Sequence, residues 1–202
     1  MLIASIDIGL INLALCILDT NEKIHHWCVF SIKSNSARES YKKLFEYFDI
    51  IPLLKNVSHV VIERQPHMNC KARVIEAAVL SYFVLRSMDH NLDRKIIKYS
   101  AKFKLMIYKG PIPTFKVKSP YSIRKKTAIF ITEQMIKSTQ DQQFKDIFKK
   151  CKKKDDLADA FCMGVAFIRF KIHKNTYYPP PGSVKIITDL SSDESDCEVF
   201  EE

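Results

Sequence analysis

Short apolar runs alternate along the chain with longer stretches in which apolar residues recur every three or four positions. The short runs predict β-strands, and they lie at residues 2–6, 13–18, 24–32, 57–62 and 95–99. The periodic stretches predict helices, and they lie at residues 36–54, 72–88, 120–137, 141–148 and 155–173. Strands and helices alternating at this spacing predict an α/β fold, with helices covering the faces of a sheet. The first three strands are expected to form an antiparallel meander.

Two of the predicted strands end at an acidic residue. Asp7 follows the first apolar run, and Glu63 follows the fourth. An ionised carboxylate is costly to bury without a partner, so an acid at the end of a buried strand needs an explanation. Gly9 lies two residues beyond Asp7 in a chain with only four glycines, and glycine lets a backbone or a phosphate come close. The triplet Asp7-Ile8-Gly9 is equally typical of an Asx-type turn in a hairpin.

Two further acids, Asp156 and Asp159, lie three residues apart at the start of the last predicted helix, so they project from one face. On their own, such acids are more typical of helix capping than of catalysis. Together with Asp7 and Glu63 they form an all-oxygen set that suits hard cations such as Mg²⁺. Two such ions can activate a water and stabilise the leaving oxygen in phosphodiester hydrolysis. General acid–base chemistry between paired carboxylates is the alternative, and no P-loop or G-x-G-x-x-G sequence supports a nucleotide site.

The distribution of charge indicates a polyanionic partner. The 202-residue chain has a formal net charge of +9, although residues 189–202 hold seven acids and no Lys or Arg. A body this basic favours nucleic acid as the partner, with a solvated basic surface as the alternative. Between residues 102 and 126, basic residues interleave with aromatic ones, which suits contacts with phosphates, sugars and bases; a solvated loop is again the alternative.

A Pro-Pro-Pro-Gly run at residues 179–182 marks the predicted domain boundary. We expect one folded domain over residues 1–178, followed at 179–202 by a Pro-rich linker and an acidic, disordered tail. No apolar run approaches the roughly 20 residues that cross a bilayer, and the N-terminus has no signal-peptide pattern. The six cysteines are scattered, without zinc-ligand spacing, so reduced thiols are expected. These features predict an intracellular protein with no membrane association.

Four short motifs, in this order along the chain, resemble those of the poxvirus-type Holliday junction resolvases. That family is related to the bacterial RuvC resolvase and the fungal mitochondrial resolvase in the ribonuclease H-like superfamily. The resemblance covers residues 1–169. The motifs are Asp7-Ile8-Gly9 with Asn12, Glu63-Arg64-Gln65-Pro66, Tyr121 with Arg124-Lys125-Lys126, and Asp155-Asp156-Leu157-Ala158-Asp159-Ala160.

The resemblance implies a ribonuclease H-like mixed sheet with helices on both faces, a homodimer, and resolution of four-way junctions and other branched DNA. It implies that Asp7, Glu63, Asp156 and Asp159 are the catalytic, metal-binding acids. They would hold two Mg²⁺ ions per active site, with Mn²⁺ as a substitute. The role of Asp155 is not separable from that of Asp156 on this basis. The basic motif implies DNA contacts from Arg124, Lys125 and Lys126, and the location implied is the site of viral DNA replication in an infected cell.

Three alternative functions remain open from the sequence. A ribonuclease H or transposase-like nuclease would share the acids but would not prefer junctions. A sugar-kinase or actin-like ATPase also opens with an Asp-x-Gly hairpin, but it needs further glycine-rich loops, and three glycines remain for them. A non-catalytic DNA-binding module would use the basic surface without cleavage, and the presence of all four acids argues against it.

Overall fold

The computed structural model describes residues 1–117, 119–139 and 141–174, and the backbone alone of residues 197–200. The strands are β1 (Leu2–Asp7), β2 (Asn12–Asp19), β3 (Ile24–Ser31), β4 (Val57–Glu63), β5 (Lys95–Tyr99) and β6 (Cys197–Phe200). The α-helices are α1 (Ala37–Asp49), α2 (Cys70–Asp89), α3 (Pro120–Lys137), α4 (Gln142–Lys150) and α5 (Lys154–Phe167). Two 3₁₀ helices span Pro52–Asn56 and Ala101–Leu105, and a π-helical turn, Ile168–Ile172, follows α5.

The strands form one mixed sheet in the order β3-β2-β1-β4-β5-β6. β1, β2 and β3 pair antiparallel, which confirms the predicted meander. β4 joins the other edge of β1 in parallel, and β5 lies parallel to β4. Because β1 and β4 are parallel neighbours, their carboxyl ends meet at the same edge of the sheet.

Helices cover both faces of this sheet, as predicted, and each face has its own apolar core. On one face, α1 and α2 bury a cluster that includes Phe48 and Phe83. On the other face, α3, α4 and α5 bury a cluster that includes Trp27 and Phe161. The sheet is thus buried on both sides, which explains why its central strands read as continuous apolar runs.

The first helix is shorter than the sequence pattern predicts. The pattern continues to residue 54, but α1 ends at Asp49. Pro52 disfavours helical backbone at the preceding residue, and Ile51 is extended, with φ −100° and ψ 96°. The apolar residues that follow, including the buried Leu54, belong to a separate 3₁₀ helix that starts at Pro52.

Helix α5 packs closely against the sheet, and contacts at two residues, Gly164 and Trp27, account for its position. Gly164 faces the strands without a side chain, and a Cβ there would lie 2.6 Å from Leu18 Cδ1 and 3.0 Å from Ser5 Cβ. At the other end, the Trp27 indole on β3 donates a hydrogen bond of 3.0 Å to the carbonyl of Leu157. Trp27 also stacks on Phe148 of α4, with ring centroids 5.2 Å apart. These contacts hold α5, including its first turn, against the sheet.

Gly9 permits the tight turn between β1 and β2. A Cβ at this position would lie 2.1 Å from the backbone oxygen of Asn12, so any side chain forces the turn to open. We expect Gly9→Ala to lower the free energy of unfolding by about 1–3 kcal/mol, the usual range for overpacking at a rigid contact. Chemical denaturation of the variant and the native protein measures this difference.

Gly110→Ala is the matched control, because a Cβ at residue 110 would meet the far end of the Tyr108 side chain, which can swing away. Both substitutions lower the conformational entropy of the unfolded chain by the same amount. The difference between their free energies of unfolding therefore measures the effect of the clash at residue 9. Equal stability of the two variants would contradict the close approach at Gly9.

Most of the expected linker and tail lies outside the described residues. Within it, the backbone of residues 197–200 pairs antiparallel with β5, although the acidic composition of this segment predicts disorder. The division of the chain at residue 178 stays a prediction. None of the helices in the described part of the chain combines the length and apolar character needed to cross a lipid bilayer.

Candidate active site

The fold brings Asp7 and Glu63 together at one edge of the sheet. Asp7 is the last residue of β1 and Glu63 the last residue of β4, and the preceding pair, Ile6 and Ile62, is in register. Asp7 is buried, with 8% of its surface exposed. The strand-end acids of the sequence analysis therefore share one site.

A buried lysine, Lys104, lies at the centre of this site. Its Nζ donates to Asp7 Oδ1 at 2.7 Å and to Glu63 Oε1 at 2.8 Å. Asp159 Oδ2 lies 3.6 Å from the same nitrogen. Three carboxylates from β1, β4 and α5 thus surround the ammonium of a lysine residue that is only 4% exposed.

Sequence reasoning missed Lys104, which it counted among the basic residues of a DNA-facing loop. The residue instead lies in the 3₁₀ helix Ala101–Leu105 directly after β5. Its neighbour Phe103 is buried against Tyr99, with ring centroids 5.1 Å apart, and Ile107 is also buried. The apolar residues at 103 and 107 were the available sign that this part of the segment faces the core.

The two predicted acids of α5 occupy different positions. Asp159 lies near Lys104, with its Oδ2 3.6 Å from the lysine Nζ. Asp156, one turn earlier, has its Oδ1 4.0 Å from the Nζ of Lys125, on α3. The structure therefore brings three of the four predicted acids around Lys104, and it places the fourth beside a second lysine.

Asp155 and Asp156 are distinguishable in the structure. Asp155 Oδ2 accepts a hydrogen bond from Lys125 Nζ, which also lies 4.9 Å from the centroid of the Tyr121 ring. Burial raises the pKa of Asp155, but the Lys125 bond more than offsets this and leaves it below the ordinary value. Burial and the neighbouring Asp155 charge leave the pKa of Asp156 raised.

Lys125 differs from its neighbours in the basic motif. It is half-buried and paired with Asp155, whereas Arg124 and Lys126 are exposed at the start of α3. Although burial lowers the pKa of Lys125, the bond to Asp155 raises it above the ordinary value, so the side chain stays charged. The contact of these three residues with DNA stays a prediction.

Two effects set the pKa values around Lys104: burial of the side chains and the charges of the neighbouring groups. Burial raises the pKa of Asp7 well above its usual range, and the Glu63 and Asp159 charges add to the rise, against the lowering effect of Lys104. Glu63 is partly buried, which raises its pKa, but Lys104 holds the pKa below the ordinary value. Burial lowers the pKa of Lys104, yet the surrounding carboxylates raise it well above its usual range. Lys104 is therefore an ammonium at neutral pH.

The residues after Glu63 hold its side chain in place. Gln65 is buried, and its Nε2 donates to Glu63 Oε2 at 3.0 Å. The backbone N–H of Gln65 donates in turn to Oε2 of the buried Glu76 on α2, at 3.2 Å. The Arg64 N–H donates to the carbonyl of Tyr99 at 2.9 Å, which ties the chain to β5. The Glu-Arg-Gln-Pro sequence thus both supplies an acid and orients it.

The donor chemistry of the site fits a hard divalent cation. As the side chains are placed in the described residues, no three His, Cys, Asp or Glu groups stand close enough to hold a metal ion by themselves. The ammonium of Lys104 instead lies between the carboxylates. Three carboxylates against one ammonium leave negative charge uncompensated, and buried charges need partners. All the acids offer oxygen donors, which Mg²⁺ and similar ions prefer.

Residues 1–173 match the family model described as Poxvirus A22 protein. The chain belongs to this family. Membership rests on a match over most of the chain, and it confirms the resemblance found from the four motifs.

Two viral proteins are similar in sequence to this A22 family member. The Holliday junction resolvase of Fowlpox virus (strain NVSL) is 26% identical over 179 residues, covering 86% of this chain and 96% of the relative. A protein of Acanthamoeba polyphaga mimivirus, named Uncharacterized protein L451, is 31% identical over 142 residues. That match covers 65% of this chain and 33% of the mimivirus protein, so the chain spans about a third of this relative's length.

The solved structures show the fold. T. thermophilus RuvC in complex with a Holliday junction substrate superposes with a TM-score of 0.58 at 10% identity, covering 88% of this chain and 99% of RuvC. The Fowlpox virus resolvase in complex with substrate Holliday junction DNA gives a TM-score of 0.54 at 24% identity, covering 84% and 97%. The expected ribonuclease H-like fold is thereby confirmed.

Proposed function

We propose that the chain is a structure-selective endodeoxyribonuclease that resolves four-way junctions and other branched DNA by phosphodiester hydrolysis. The observation that carries the proposal is the convergence of Asp7, Glu63 and Asp159, from three separate elements, on the buried Lys104. This convergence occurs in a family member whose fowlpox relative is a Holliday junction resolvase matched over nearly its whole length. Cleavage of a synthetic four-way junction tests the proposal.

Mg²⁺ is the proposed cofactor, with Mn²⁺ as a substitute, and two ions per active site are proposed. Asp7, Glu63, Asp156 and Asp159 would hold it. When bound, Mg²⁺ lowers the pKa of water and stabilises charge on the phosphate and the leaving oxygen. The acids supply the negative charge that attracts the cation, and their fixed positions on strand ends and a helix start limit the motion of the site.

Lys104 has a role other than proton abstraction in this proposal. Its pKa lies well above the usual range, so it has no free lone pair at neutral pH. The ammonium keeps three mutually repelling carboxylates in place. It also supplies a fixed positive charge at the point where the phosphate would gain negative charge during hydrolysis.

The proposed DNA surface lies at the start of α3, next to the acids at the start of α5. Arg124 and Lys126 are exposed there, and Lys125 is held beside Asp155. We further propose a homodimer, since symmetric cutting of a junction requires two active sites. Contacts to the phosphate backbone position a protein on DNA without reading its sequence, so junction preference would come from DNA shape. The proposed location is the site of viral DNA replication within an infected cell.

Junction binding is expected to weaken steeply with salt. Each phosphate contact contributes about −0.9 to the slope of the logarithm of affinity against the logarithm of salt concentration. Contacts from Arg124, Lys125 and Lys126 alone therefore predict a loss of affinity of about 40-fold between 50 and 200 mM salt. Fluorescence anisotropy with a labelled junction, in the presence of a chelator, measures the slope.

A pair of variants assigns this slope to the surface at α3. Arg124→Met is expected to make the slope shallower by about 0.9. The control is Lys42→Met, which removes an exposed lysine from α1, on the opposite face of the sheet. A salt-independent affinity, or equal effects of the two variants, would contradict the proposed DNA surface.

A further inference from the structure

Asp155 is an additional acid beside the candidate site, and its contacts differ from those of the other acids. Asp7, Glu63 and Asp159 surround Lys104, whereas Asp155 binds the ammonium of Lys125. Both side chains of the pair are partly shielded, with 20% of Asp155 and 30% of Lys125 exposed. Ion pairs shielded in this way are less weakened by salt than pairs on an open surface.

The Lys125 ammonium is restrained from several sides. Asp155 accepts its hydrogen bond, Asp156 Oδ1 lies 4.0 Å away, and the Tyr121 ring lies one helical turn earlier on α3, 4.9 Å from the nitrogen. A free lysine side chain on a helix start samples many rotamers. These contacts reduce that freedom and keep the charge at the boundary between α3 and the acids of α5.

We propose that Asp155 is a positioning residue that holds the Lys125 ammonium beside Asp156, ready to receive the scissile phosphate. This inference rests on the proposed function. A phosphate that enters the site can share Lys125 with Asp155, because the ammonium has three hydrogen-bond donors. Asp155 thus acts on the reaction through Lys125, and it contributes no donor to the cation site.

The proposal separates Asp155 from Asp156 in their effects on catalysis. Loss of a residue that positions the phosphate lowers the rate constant of the bound complex and leaves the Mg²⁺ requirement unchanged. Loss of an acid that holds the cation raises the Mg²⁺ requirement. The proposal therefore predicts that Asp155→Asn slows cleavage at saturating Mg²⁺, while Asp156→Asn raises the Mg²⁺ concentration needed for half-maximal rate.

The decisive experiment is a double-mutant cycle on single-turnover junction cleavage with Asp155→Asn, Lys125→Met and the combined variant. We expect Asp155→Asn to lower the single-turnover rate constant about tenfold. The combined variant should be no slower than Lys125→Met alone, because Asp155 has no effect once its partner is gone. The half-saturating Mg²⁺ concentration of Asp155→Asn should equal that of the native protein, and Asp155→Glu should recover part of the rate. Asp93→Asn, an exposed acid next to β5, is the matched control.

Three results would overturn the inference while the proposed function stands. The first is that the effects of Asp155→Asn and Lys125→Met on the rate multiply, and the second is a raised Mg²⁺ requirement for Asp155→Asn. The third is faster cleavage by Asp155→Asn, which would mean that Asp155 withholds Lys125 from the phosphate. Thermal unfolding of each variant shows whether a lost rate reflects lost structure, and Asp155→Glu then supplies the comparison in a folded protein. A native protein that leaves junctions uncut would instead overturn the proposed function itself.

Discussion

Replacement of Asp7 by asparagine is expected to slow junction cleavage by about three orders of magnitude while junction binding is kept. Asp7 is buried, and Lys104, Glu63 and Asp159 surround it at the end of β1. An asparagine has nearly the same shape but lacks the charge that would hold a divalent cation. The loss corresponds to about 4 kcal/mol of transition-state stabilisation, and a bound metal ion typically contributes several kcal/mol. Single-turnover cleavage and chelator-treated binding measure the two effects separately.

The same substitution is expected to leave the fold intact or stabilise it in chelator. Burial raises the pKa of Asp7 in the folded protein. The protonated carboxyl therefore contributes to the free energy of unfolding at low pH, and this contribution is lost as the pH rises through the pKa of the folded state. Burial therefore disfavours the ionised form of Asp7 in the folded protein, and a neutral asparagine does not carry this penalty. Asp93→Asn is the control for both measurements. Cleavage within tenfold of the native rate, or a large loss of Tm, would contradict this account of Asp7.

Replacement of Lys104 by methionine is expected to lower both activity and stability. The methionine fills similar space but leaves Asp7, Glu63 and Asp159 without their shared counter-charge. Removal of one partner from a buried ion pair costs about 3 kcal/mol or more, and loss of a fixed charge at the reacting phosphate lowers the rate about a hundredfold. Denaturation in chelator and single-turnover cleavage measure the two losses.

Mg²⁺ provides a further test of the role of Lys104. In the variant the cation would supply the counter-charge that the lysine no longer gives, so Mg²⁺ should raise the Tm of Lys104→Met more than that of the native protein. Lys102→Met is the matched control, since Lys102 is exposed on the same 3₁₀ helix. Equal stability losses for the two variants would show that the central ammonium does not hold the acids together.

The sequence predicted the parts of the site that local patterns specify. Asp7 and Glu63 each end an apolar run, where burial of an unpaired carboxylate is costly. Parallel neighbours then place both at the same sheet edge, which the structure confirms for β1 and β4. Asp159 follows from helical periodicity at the start of α5. These inferences needed the order of the elements along the chain, together with a resemblance that covered all four motifs.

The remaining features depend on contacts between distant parts of the chain. Lys104 lies in a segment rich in Lys and Pro, and its burial results from acids 97, 41 and 55 residues away converging on it. Asp155 and Asp156 are adjacent and chemically identical, and only the approach of Lys125 from α3 separates them. The early end of α1, in contrast, depends on a local signal. Pro52 indicates a helix end in the sequence, but the apolar periodicity continues beyond it to residue 54.

The central claim is that this chain cuts branched DNA with the acids at the sheet edge, and one measurement tests it most directly. A synthetic four-way junction and a matched linear duplex, each labelled on every strand in turn, are incubated with the native protein in Mg²⁺ or in chelator. The account predicts paired nicks on opposite strands, only in the junction and only with Mg²⁺. Junction binding without cleavage under any divalent cation would contradict it and favour a binding module. Equal cutting of the duplex or of an RNA–DNA hybrid would contradict the proposed substrate.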